Sequence, residues 1–249
     1  MRSRFFAGGI HFCVSLLMAS FAAFLVFHLW YPNPYREVSG GRELFLLLVA
    51  VDIVIGPVLT IIVFNQNKPR LELRKDLFLV GVIQIAALAY GLWSVFAARP
   101  VHMVFEYDRF RMVHAVDVDP QLLVRSPENV AAMPMTGPTL LALRPFKDAK
   151  ESMEATMAAF QGLSLASRPE LWMPYGDATE MVLKEARPAM LLLQRFNSRS
   201  QEIQQVLQGV DRSVQDVVYL PLARRKSFWT VFLDPVTAEV LTIMALDSF

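Results

Sequence analysis

The stretch LLLVAVDIVIGPVLTIIVF, residues 46–64, is apolar almost throughout, yet it carries Asp52 and the pair Gly56-Pro57. It is one of three long apolar runs, which span 7–30, 44–64 and 77–98. Each is long enough to cross about 30 Å of hydrocarbon, which takes roughly 20 residues at about 1.5 Å per residue. Backbone groups in lipid must be satisfied within the segment, so all three are expected to be helices.

Composition agrees. Hydrophobic residues make up 54% of the 249 and charged residues only 19%, a balance shifted towards a membrane protein. The apolar excess ends near Ala98. Residues 1–98 hold 8 Lys+Arg and 5 Asp+Glu, and residues 99–249 hold 16 and 18. The second part is mildly acidic, which argues against a nucleic-acid surface. The single cysteine, Cys13, excludes an internal disulfide and a zinc motif.

The first run follows MRSR, as a signal peptide would. It is longer than a typical signal core and no small-residue cleavage site follows, so an uncleaved span is expected. Arg2, Arg4 and the loop NQNKPRLELRKD (65–76) share one side, which the positive-inside rule makes cytoplasmic. The 31–43 loop and the C-terminal part then face outward, into the periplasm of a Gram-negative cell. Trp30, Tyr31 and Tyr35 fit an interfacial aromatic belt at the outer end.

Residues 99–249 read as an α+β domain with a mostly antiparallel sheet and helices packed on it. A hairpin is expected around Asp108-Arg109, with Met103, Phe105 and Tyr107 facing the same way as Phe110, Met112 and His114. A strand follows at 139–146. Helices are expected at 148–160, capped by Asp148, at 177–186, from about Pro188, and at 198–209, ending at Gly209 as a C′ residue. Strands at 216–223, 227–234 and 239–246 close the chain.

The alternation points His102 away from His114, so the two do not converge on a metal. There is no GxSxG, HExxH, Walker or Rossmann pattern. No catalytic residue, cofactor site or metal site is expected, and the chain is not read as an enzyme. Arg224-Arg225-Lys226 is either a solvated hairpin turn or a contact for an acidic partner or lipid head group.

Asp52 is the residue that needs a reason. A carboxylate at the centre of a span costs roughly 2.5–3.5 kcal/mol and normally faces other helices and finds a partner. Gly56 lies four residues on, on the same face, and permits close helix approach. Pro57 removes a backbone donor and frees the carbonyl of Ile53. Tyr90 lies at the same estimated depth as Asp52, and Gln84 lies deeper. Asp52, Gly56, Pro57, Tyr90 and Gln84 therefore form the candidate set. They serve as a clasp between the chain's own helices, as a docking place for a partner's membrane helix, or as a proton relay. A relay needs a chain of ionisable groups, and Asp52 is the one evident.

The segments HLWYPNPYREVSGG, VDIVIGPVLTIIVFN, KPRLELRKDL, GLWSVFAARPVHMVFEYDRF, MTGPTLLALRP and YLPLARRKSFWTVFLDPVTAEVLTI occur in that order. Together they resemble the TfpX/TfpZ family of type IV pilin accessory proteins over nearly the whole chain. Ala238 departs from the resemblance, where glycine is expected. The resemblance implies a chaperone-like inner-membrane accessory protein with a periplasmic domain. It would support stability, assembly or surface display of a cognate type IV pilin, the implied partner beside the bilayer. A pilin waits with one helix in the membrane and its head in the periplasm, so a three-helix bundle and an outer domain match both parts. The alternative is a periplasmic-sensing receptor or scaffold signalling through partners, but the cytoplasmic segments contain no output domain.

Overall fold

A computed structural model describes residues 2–64, 68–224 and 228–249. Part of the loop expected to be cytoplasmic (65–67) and Arg225-Lys226 of the basic turn lie outside the described residues. The chain forms two compact units, Met1–Arg99 and Pro100–Phe249.

The first unit has three helices long and apolar enough to cross a membrane. Helix α1, Arg2–Phe24, continues as a π-helix through Trp30. After the short α2, Tyr35–Val38, the second span is built in three pieces. These are α3 (Gly41–Ala50), a π-helical turn Val51–Ile55 and α4 (Gly56–Val63). The expected defect at Pro57 is thus absorbed without a break: the helix widens before it, and the proline sits in the first turn of α4. Helix α5 runs Arg70–Ala97. Residues 70–76, expected as loop, are its first turns, because Pro69 starts the helix and LELRK consists of good helix formers. Lys68 Nζ meets Asp76 Oδ2 at 2.6 Å beside that start.

Large apolar side chains such as Leu17, Leu47 and Phe78 cover the outside of the three helices, a surface suited to lipid rather than water. Ala22, Val26, Phe45, Leu48, Leu88 and Val95 pack between them. Tyr31 belongs to this core and not to an interfacial belt. Its ring is fully buried over Gly41, where any Cβ would collide with it, and its hydroxyl donates to Val95 O at 3.0 Å. Trp30 does stand at that end, edge-on to Phe96.

The second unit is an α/β domain with one mostly antiparallel sheet. Its strands are β1 (Pro100–Glu106), β2 (Arg109–His114), β3 (Thr139–Leu143), β4 (Trp172–Pro174), β5 (Arg187–Pro188), β6 (Val218–Ala223), β7 (Phe228–Leu233) and β8 (Val240–Met244). The order is β4-β3-β1-β2-β6-β7-β8, with β5 added beside β6. Among the described residues only β1–β3 and β2–β6 run parallel.

In the β1–β2 hairpin Met103 pairs with Met112 and Phe105 with Phe110, as the alternation requires. The turn is Tyr107-Asp108, with Tyr107 at φ 59°. Strand β1 is buried along its whole length, since it lies mid-sheet and both faces are covered. On one side Val104, Val113, Leu141 and Leu143 pack with Ala155 of α6 (Ala149–Phe160) and with Trp172. Asp148 caps α6 by accepting from Glu151 N, and Arg144 binds Glu151 through two hydrogen bonds of 2.9 and 2.7 Å. That pairing holds the Glu151 carboxyl down at about 2 and ties the helix start to β3.

A second core gathers Ala189, Leu192, Ile203, Leu207, Tyr219, Phe232 and Met244. It lies between strands β6–β8 and the helices α8 (Met190–Arg195) and α9 (Ser200–Gln208), which follow α7 (Thr179–Glu185). Gly209 closes α9 in a right-handed conformation, and the left-handed residue comes two places later at Asp211, φ 54°.

Candidate functional site

Polar side chains within the three apolar helices collect on one side of the second one. His11 of α1 is bonded through Nδ1 to Thr60 Oγ1 of α4 at 2.5 Å. His11 also acts electrostatically on Asp52, which sits in the π-helical turn of the same span. Gln84 of α5 packs directly on Gly56: a Cβ there would overlap the Gln84 amide nitrogen and stand 3.2 Å from His11 Nε2. All three spans therefore contribute, and the missing side chain of Gly56 is what lets them approach.

Gln84 Nε2 is sealed from solvent and has no hydrogen-bond partner among the described residues. An unsatisfied buried donor costs about 1–3 kcal/mol, so this amide is poised for an acceptor that the fold itself does not supply.

Two grooves flank the cluster. The first, of about 450 Å³, has α1 for one wall (Ile10, His11, Ser15) and α5 for the other (Gly81, Gln84, Ile85), with Asp52 and Thr60 between them. The second, of about 430 Å³, lies between the second span and α5 and includes Asp52, Gly56, Gln84 and Tyr90. Tyr90 shares this groove with Asp52, but no described hydrogen bond joins them. Its ring is 70% exposed and leans on Trp93. Pro57 is buried inside the second span.

His11 escaped the sequence reading, although depth alone could have found it. His11 and Thr60 each lie four residues from the same-side ends of their apolar runs, about 6 Å in.

In the second unit the two histidines have separate duties. His102 is fully buried. Its Nε2 donates to Ala132 O at 3.0 Å, its Nδ1 pairs with Thr139 Oγ1 at 2.7 Å, and its ring is edge-on to Trp172. Since a carbonyl only accepts, the proton lies on Nε2 and Nδ1 accepts from the threonine. Burial pushes its pKa down to about 4. His114 closes a turn with Asp117. Among the described residues no three His, Cys, Asp or Glu side chains gather as metal ligands. On α6, Met153, Met157 and Phe160 recur at i, i+4 and i+7 and form an exposed apolar stripe.

A family model described as fimbrial assembly protein FimB matches residues 1–40. The fimbrial assembly protein of serogroup I from Dichelobacter nodosus is 35% identical over 243 residues, which cover 97% of this chain and 94% of that protein. The serogroup E1 protein of the same organism gives the same identity and coverage. The protein of serogroups C1 and C2 is 41% identical over 110 residues, 44% of this chain and 84% of its own length. No solved structure matches.

Proposed function

The chain belongs to the fimbrial assembly protein family, and on that premise we propose that it supports fimbrial assembly from the bacterial inner membrane by direct contact with the pilin. The observation that carries this reading is the extent of the similarity. It runs through both units and nearly the full length of both proteins. In this reading the N-terminus is cytoplasmic and the second unit is periplasmic, as Lys and Arg placement favours. The protein is a TfpX/TfpZ-type accessory factor that holds the subunit ready for incorporation, and the work is binding, without covalent chemistry.

The second unit would meet the pilin head, with the exposed stripe Met153, Met157 and Phe160 as the contact. Methionine side chains adapt to varied surfaces, which suits a helper that must release its client. The test is photocrosslinking in cells that express the cognate pilin, with benzoylphenylalanine at Met153 or Phe160 and a gene deletion in parallel. Pilin adducts, together with loss of surface fimbriae on deletion, are expected. Normal fimbriation without the protein would overturn the assembly role, and normally inserted protein with no pilin adduct from any position would overturn direct contact.

A further inference from the structure

We infer that the groove between α1 and α5 is a seat for one further membrane helix, that of the pilin, and that the polar cluster recognises a hydrogen-bonding side chain on it. This rests on the proposed pilin contact and assigns it a place within the membrane.

The groove has the form that a fourth helix requires. Its walls run from Ala7 to Met18 on α1 and from Leu77 to Leu88 on α5, three turns each, on the order of 16 Å. The second span forms the floor with Asp52 and Thr60. The wall of α5 carries Gly81, and a Cβ built there would meet no atom within 4 Å. Small residues on the walls let a helix backbone come close, the usual basis of helix association in lipid.

The chemistry of the walls chooses the occupant. Gln84 Nε2 is a buried donor with no acceptor among the described residues. Asp52 lines the same groove and accepts no described hydrogen bond. A lipid chain would fill the space and leave both groups unmatched. A helix bearing a hydroxyl, an amide or a protonated carboxyl group brings a donor for Asp52, and an acceptor that the Gln84 amide reaches by turning from Gly56 into the groove. In hydrocarbon, where water does not compete, such a pair sets register as well as affinity. The His11–Thr60 bond ties α1 to the second span beside this floor.

The test places benzoylphenylalanine in the full-length protein, in cells making the cognate pilin. Ile10 and Ile85 line opposite walls of the groove, whereas Ile62 and Phe78 are exposed on span faces that do not line it. Adducts from Ile10 and Ile85 to the pilin's membrane helix are expected, and at most a tenth as much from Ile62 and Phe78. Gln84→Leu should cut the groove adducts at least fivefold at equal protein level. Should that variant fail to insert, Gly81→Leu keeps Gln84, fills the groove from its wall and should cut the same adducts at least fivefold. Adducts unchanged in Gly81→Leu, or groove adducts to lipid or to a second copy alone, would overturn the inference. Pilin adducts from Met153 with none from the groove would overturn it too and leave the proposed function standing. Adducts from neither place would overturn both.

Discussion

The amide nitrogen of Gln84 occupies the place where residue 56 would carry a Cβ, so the third span is keyed into the second at a glycine. Gly56→Ala must therefore push Gln84 aside and crowd His11. Overpacking of this kind costs roughly 1–3 kcal/mol. Because the obstructing atom is the end of a flexible side chain, Gln84→Ala in the same chain should recover most of the loss. Thermal unfolding of the detergent-solubilised wild type, both single variants and the double variant measures the coupling. Additive effects would mean that the two residues do not oppose each other.

The three spans, the Asp148 cap and the pairing of Met103 with Met112 were legible because each follows from local period and composition. Placing β1 mid-sheet was not, because its neighbour β3 arrives in parallel only after a long connection that no turn signal announces. The polar site was half legible. Asp52, Gly56 and Gln84 line one groove, but Tyr90 leans on Trp93 and His11 of another span is the neighbour that acts electrostatically on Asp52. Depth arithmetic gives the level of a residue in a span and leaves the rotation of each helix undetermined. That rotation is set by contacts such as Gln84 on Gly56 and Tyr31 on Gly41.

Tyr31 completes the end of α5. The last four carbonyls of a helix lack intrahelical partners. Here Ser94 O accepts from Ala98 N, Phe96 O from Arg99 N, and Val95 O from the Tyr31 hydroxyl. Tyr31→Phe keeps the packing and leaves one buried carbonyl short, a cost of about 1 kcal/mol. Tyr31→Ala empties the pocket over Gly41 and should cost about 3–5 kcal/mol. Unfolding of the two variants in detergent should rank them in that order, and equal losses would show that the ring contributes nothing beyond its hydroxyl.

Ala238 lies in the left-handed region, φ 57°, fully buried in the turn between β7 and β8. The turn is held from several sides. Asp234 Oδ1 accepts from Val236 N and Thr237 N, and Tyr175 donates its hydroxyl to Ala238 O at 2.7 Å. This geometry explains why glycine is expected there from the family resemblance. A left-handed non-glycine residue costs roughly 1–2 kcal/mol, offset in part by the greater freedom of glycine when unfolded. Ala238→Gly should thus raise the stability of the second unit by about 0.5–1 kcal/mol, read as a higher denaturation midpoint at unchanged slope. A lower midpoint would show that the methyl group's packing outweighs the strain.

His102 makes the second unit sensitive to acid. Its folded pKa is about 4 against an ordinary 6.5, so between those values the unfolded chain binds the proton and the folded chain does not. The stability tied to this ring is complete above about pH 6.5 and falls as the pH drops towards 4, by about 3 kcal/mol at most. His102→Gln does not titrate in this range, and its amide can still donate to the carbonyl of Ala132. The variant should start less stable at pH 7, through imperfect packing against Trp172, yet lose less between pH 6.5 and 4. Denaturation midpoints of wild type and variant across that window decide the matter. Parallel curves would assign the acid sensitivity to other groups.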